Sequence, residues 1–92
     1  PMAHTKSNKD QLRARVRRIA GQIAAIDNAI EEEVGCSAVL HQVAGVRGAI
    51  NGLMDELIED HLREHVTKPG LDDATRAAAA EELAAVVRRY AK

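Results

Sequence analysis

Ninety-two residues with a net charge of −1 make one small domain, spanning 1–92, near the lower end of what a single core can stabilise. There is no tryptophan, no phenylalanine and one tyrosine, Tyr90, so the large rings that usually fill a three-dimensional core are missing. No apolar run is long enough for a membrane span, and the polar start PMAHTKSNKDQ carries no signal-peptide core.

The apolar content is almost entirely Ala, Val, Ile and Leu. Such chains stack helices along seams and cover what remains against copies of themselves, so a homo-oligomer is expected. The lone cysteine, Cys36, cannot form an internal disulfide, which points to the cytoplasm, where a thiol stays reduced. Charge is unevenly spread: residues 1–30 carry six basic and two acidic groups, and residues 31–64 carry two basic and eight acidic. A basic N-terminal segment suggests an anionic partner.

The first element is a helix over roughly 9–33. Its apolar residues, Leu12, Val16, Ile19, Ile23, Ile26 and Ile30, recur at alternating spacings of four and three, close to a heptad. Ser7 or Asn8 is placed to cap its start, and Gly35 to end it. The second helix runs over roughly 36–67. Its stripe of Val39, Val43, Val46, Ile50, Leu53 and Leu57 extends back to Cys36 and forward to His61 and His65. KPG at 68–70 ends it, and Asp72 or Asp73 caps a third helix over roughly 73–91, carried by four alanines, Leu83, Val86, Val87 and Tyr90. Strand-like alternation is absent, and the fold class is all-α.

Cys36 and His61 are 25 residues apart on one helix, about 37 Å if it is continuous, so one chain cannot close both on one ion. Yet 25 steps of about 100° return to within roughly 20° of the starting direction, which puts both on one face. Two copies packed antiparallel about a two-fold near residues 48–51 would bring Cys36 of one to His61 and His65 of the other. The stretch AGVRGAINGL lies there, and Gly45, Gly48, Ala49 and Gly52 would let two backbones approach. Each helical glycine costs about 1 kcal/mol against alanine, so their density calls for a reason. A two-fold contact also makes two identical sites.

A thiolate with two imidazoles is a borderline-soft donor set suited to Ni, Co, Zn or Cu and wrong for Mg or Ca. Glu64 would add an oxygen ligand or orient a histidine, and His4 would close over the ion from the N-terminal arm. Taken singly, a cysteine on an apolar face is usually a small buried hydrophobe, and an i,i+4 histidine pair is usually surface decoration. The shared face and the two-fold match are what raise the metal or reactive-thiol reading above these. His41 lacks that relation and reads as structural or exposed. HLREH also fits the H-x-x-E-H signature of inverted zinc proteases, but the chain is too short to build a substrate cleft around it, so no enzyme is expected.

RARVRRIAGQ in the first helix places Arg13 and Arg17 at i,i+4 and Arg15 and Arg18 at i,i+3, while Val16, Ile19 and Ile23 point inward. A solvated face is the ordinary reading of such charges. Acidic residues to neutralise them locally are nearly absent before Asp27, which favours phosphate binding. Lys9, Arg13, Arg15, Arg17, Arg18 and Gln22 are the candidate contacts to double-stranded DNA.

RVRRIAGQI, the lone Cys36, VAGVRGAINGLMDELIEDHL and the closing EHV together resemble the CsoR/RcnR family of metal- and stress-sensing repressors, over nearly the whole chain. The resemblance implies a three-helix protomer, an antiparallel four-helix-bundle dimer and a dimer of dimers that binds operator DNA in the apo form. Metal then releases the DNA and derepresses an efflux gene. His4, Cys36, His61 and His65 match the nickel/cobalt branch, in which Glu64 matches a residue implicated with cobalt. Ni(II) or Co(II) is thus the implied inducer, with Zn(II) open; Cu(I) is disfavoured, because copper sensors carry cysteine at the position of His65. The formaldehyde-responsive branch is similar elsewhere, tends to have a carboxylate at the position of His65, and uses an N-terminal proline amine with the cysteine. Pro1 is therefore either such an amine or a cleavage residue ahead of a start at Met2; the latter aligns His4 with the nickel/cobalt pattern.

Overall fold

The computed structural model describes residues 8–90, so His4 and Pro1 lie outside the described residues. Those described form three helices and no strand: α1 (Lys9–Glu31), α2 (Cys36–His65) and α3 (Asp73–Tyr90). The all-α expectation holds, with α1 and α2 each ending two residues earlier than the periodicity suggested.

The end of α1 shows why. Glu33 takes a left-handed φ of 58°, its N–H donates to the Ile30 carbonyl at 3.1 Å, and the Val34 N–H donates to the Ala29 carbonyl at 3.0 Å. That is the Schellman arrangement, with Glu33 and not Gly35 as the left-handed residue. Gly35 instead opens α2, its carbonyl accepting from the N–H groups of Ala38 at 3.0 Å and Val39 at 3.3 Å. At the other end of α2 the Val66 and Thr67 N–H groups both reach the Leu62 carbonyl, at 3.1 and 2.9 Å, before Pro69 removes a donor. Gly70 then turns the chain at φ 91°. Arg76 Nη2 reaches back to the carbonyls of Lys68 and Leu71, each at 3.4 Å, and fixes this loop on α3. Asp72 rather than Asp73 caps α3: its Oδ1 accepts from the Thr75 N–H at 2.7 Å.

The chain divides into two compact units. In Asp10–Leu53, Leu12, Ile19, Ala29 and Val46 are buried. The alternate stripe positions are not: Val16, Ile23 and Ile30 of α1 are 50–60% exposed, and Val43 and Ile50 of α2 about 45%. Val16 and Ile23 were expected to point inward with Ile19, and only Ile19 does so within one chain. A heptad seam has two positions per repeat; here one is covered by the chain itself and the other is open.

The second unit holds Met54 onward together with Asn8 and Lys9. Ala79 of α3 is buried in it, Leu57, Ile58 and Leu83 are partly covered, and one charged residue, Asp60, is only 8% exposed.

Candidate functional site

α2 is unbroken from Cys36 to His65, so the candidate thiol and the candidate imidazoles occupy its two ends. Cys36 is the first residue of the helix, reduced and exposed. His61 and His65, one turn apart, have ring centroids 5.0 Å apart, and both are half-buried. They line a cleft of about 740 Å³ whose walls are mostly apolar, with Met54, Leu57, Leu83 and Val86 among them.

The His61 ring is oriented by α3. Its Nε2 lies 3.0 Å from the Ala79 carbonyl, and a carbonyl only accepts, so Nε2 carries the hydrogen. In the neutral ring Nδ1 then bears the lone pair, the arrangement by which a backbone acceptor selects which nitrogen can bind a metal. Sequence reasoning had no route to this contact, because the acceptor is a backbone atom of an alanine.

Glu64 is half-buried, and its Oε2 is 3.4 Å from Lys68 Nζ, one turn along. Among the described residues no three His, Cys, Asp or Glu side chains gather in a geometry that could hold a metal ion. The donors are chemically suited to a borderline-soft ion, but the described part of a single chain does not assemble them.

On α1, Lys9, Arg13, Arg17 and Arg18 are exposed, and among the described residues no ion pair reaches Arg13, Arg17 or Arg18. Arg15 is half-buried: a Cβ added at Gly52 would lie 2.9 Å from its Nη1. Gly52 is thus a place where a side chain from α1 lies over the α2 backbone. A Cβ at Gly45 or Gly48 would meet nothing within 4 Å. Gln22 is half-buried, and its Oε1 is sealed from solvent with no hydrogen-bond partner. His41 is exposed.

Sequence reasoning offered Asn8 only as a possible cap, alongside Ser7, which lies outside the described residues; the bonds of Asn8 go elsewhere. Its Nδ2 donates to Glu56 Oε2 at 2.7 Å and to Asp60 Oδ2 at 3.0 Å. The available signal was the acidic i,i+4 pair itself, on a helix whose only nearby cation is Arg63.

Residues 8–89 match the family model for metal-sensitive transcriptional repressors. The chain belongs to the CsoR/RcnR family of metal-sensitive repressors. It is 46% identical to a protein of the bioA 5′ region of Serratia marcescens and 42% identical to the transcriptional repressor RcnR of Salmonella arizonae, in each case over 99% of this chain and all of the relative. Among solved structures it is similar to the formaldehyde-responsive regulator FrmR of Salmonella enterica serovar Typhimurium, in a glutamate-to-histidine variant. The TM-score is 0.85 and the identity 40%, covering 91% of this chain and 94% of that one. Membership places the chain in a family of metal-sensitive transcriptional repressors and implies that it binds DNA. No helix among the described residues is long and apolar enough to cross a membrane.

Proposed function

We propose that this protein is a cytoplasmic repressor that binds operator DNA in its apo form and is released by Ni(II) or Co(II), derepressing a metal efflux gene. Cys36 of one copy and His61 and His65 of a second copy would hold the ion, with His4 and Glu64 completing the set. The observation that carries this is the placement of donors on α2: an exposed thiol at one end, two imidazoles in an apolar cleft at the other, and no metal-holding cluster among the described residues of one chain. Head-to-tail pairing about a two-fold supplies the missing partner.

The open half of the seam supports that pairing. Covering Val16, Ile23, Ile30, Val43 and Ile50, each about half exposed, is worth on the order of 5 kcal/mol per copy. Doubled across a two-fold, this rivals the cost of association. Gly45 and Gly48, where an added Cβ would meet nothing within 4 Å among the described residues, leave room for a partner backbone. Two such dimers would form the tetramer.

The DNA surface would be built from Lys9, Arg13, Arg17 and Arg18, all of them exposed. Arg15 and Gln22 would act from the inner margin of that face. Release needs only that inducer bind the DNA-free shape better than the DNA-bound one.

A formaldehyde response is the second reading, favoured by the likeness to FrmR. In it a proline amine at position 1 and the Cys36 thiol would each bond to the carbon of one formaldehyde, giving an N–CH2–S bridge. The aldehyde oxygen would leave as water with one hydrogen from each group. His65 favours the metal, since the resemblance assigns a carboxylate to that position in the formaldehyde branch. The deciding experiment is an operator-binding titration, on a duplex chosen by in vitro selection, with Ni(II), Co(II), Zn(II), Cu(I) and formaldehyde side by side. Release by Ni(II) or Co(II) with a thiolate-to-Co(II) charge-transfer band is expected; release by formaldehyde alone, with a covalent mass increase on Cys36, would replace this reading by the second.

A further inference from the structure

We propose that Asn8, Glu56 and Asp60 form a clamp that couples occupancy of the inducer site to the first turn of the DNA-binding helix. This rests on the reading that inducer releases DNA.

The geometry begins with a carboxylate in an unfavourable place. The Asp60 side chain is only 10% exposed, and it shares one helix face with Glu56, a like charge at i,i+4. Two groups compensate the burial. Arg63 Nη1 stands 3.8 Å from Oδ1, a loose contact made from an exposed side chain. The Asn8 amide is closer, giving one N–H to Asp60 Oδ2 at 3.0 Å and the other to Glu56 Oε2 at 2.7 Å. Hydrogen bonds to ionised acceptors are the strong ones, and this amide spends both donors on them.

What the clamp joins gives it its role. Asn8 adjoins Lys9, the first residue of α1 and of the basic surface. Asp60 adjoins His61, whose ring is already held by the Ala79 carbonyl. A shift of the α2 backbone at His61 on taking an inducer would carry Asp60 with it, and Asp60 holds Asn8, the residue just before α1. The variants separate a coupling clamp from a merely structural contact.

Asn8→Asp does so. Aspartate caps a helix as well as asparagine does, but it has no donor and sets a third carboxylate against the other two. The DNA-free protein should then exchange the amides of Asp10 to Arg13 at least about tenfold faster. The ratio of apo to inducer-loaded operator affinity should fall by at least about fivefold, within the usual range of coupling between sites. The double variant Asn8→Asp with Asp60→Asn exchanges donor and acceptor at one of the two bonds and leaves Glu56 facing a carboxylate. It should therefore recover part of both losses, raising the ratio by at least about twofold over Asn8→Asp alone.

Glu56→Gln keeps an acceptor and serves as the second variant if Asn8→Asp does not fold; it should lower the ratio by about threefold. A native ratio in the folded variant overturns the proposal, whether or not the first turn loosens, because a merely structural contact would change exchange alone. A double variant whose ratio is no higher than that of Asn8→Asp alone overturns it too. If no metal and no formaldehyde releases the native protein from DNA, the repressor reading falls and the coupling with it, a result seen in the native titration before any variant is made.

Discussion

The two units of the chain solve burial in opposite ways. Asp10–Leu53 keeps one position of each heptad for itself, at Leu12, Ile19 and Val46, and leaves Val16, Ile23, Ile30, Val43 and Ile50 open. The unit from Met54 onward brings α3 against α2, half-covers Leu57, Ile58 and Leu83, and retains a cleft holding two imidazoles. The first presents an open apolar stripe; the second encloses a cleft with mostly apolar walls. The same four-three spacing produces both, so periodicity alone does not say whether a stripe will be covered by its own chain.

The strongest way to break this contrast is to charge the open seam. Ile23→Asp with Ile50→Asp places carboxylates where apolar contact between copies is expected, and ultracentrifugation should find monomers at concentrations where the native chain is oligomeric. The same pair of changes at solvent-facing positions would leave the mass unaltered; unchanged mass in the seam variant would refute the role given to the first unit. Next in size is Cys36→Ala. If Cys36 binds the ion as proposed, its removal should weaken Co(II) binding by more than about 100-fold, beyond what outer contacts usually cost, and abolish the charge-transfer band. Apo operator binding should stay native, because Cys36 lies apart from the basic residues of α1.

A smaller effect separates the charged face from the seam beside it. Replacing Arg13, Arg17 and Arg18 by alanine should weaken operator binding for all sequences alike. The slope of log affinity against log salt should become shallower by about 0.9 for each lost phosphate contact. An unchanged slope would mean that these arginines face solvent in the complex. Arg15→Ala should behave differently, with a weaker salt effect and some loss of packing, since its guanidinium lies over Gly52.

Helix number, type and position were readable because the stripes run long and carry no competing strand pattern. What escaped was decided by single backbone or amide groups. Gly35 looked like a terminator, yet the Schellman bonds of Val34 and Glu33 end the helix first and put a glutamate in the left-handed region. Val16 and Ile23 have the same chemistry as Ile19, and only coordinates separate the covered phase from the open one. For the candidate site, residue type and helical phase were legible. The Ala79 carbonyl on His61 and the Asn8 amide on Glu56 and Asp60 were not, because neither acceptor nor donor lies in a motif. Whether Cys36 meets His61 and His65 depends on a second copy, and spacing constrains that meeting without supplying its energy.

The smallest expected effect lies at the start of α3, and its sign is fixed by one carboxylate. The backbone hydrogen bond from Thr75, aided by a second from its side chain, holds the Asp72 pKa below the ordinary 3.8. A carboxylate depressed on folding stabilises the folded state above its unfolded pKa, and that contribution disappears as pH falls through the lower folded value. Asp72→Ala should therefore lower the thermal midpoint slightly at pH 7, and the gap from the native protein should narrow only in acid below pH 3.8. Asp72→Asn keeps the capping oxygen without the charge and should lie between them, with a midpoint that loses this pH dependence. If the gap instead widened on acidification, α3 would be capped by something other than the ionised Asp72, and the second unit would owe its closure to packing against α2 alone.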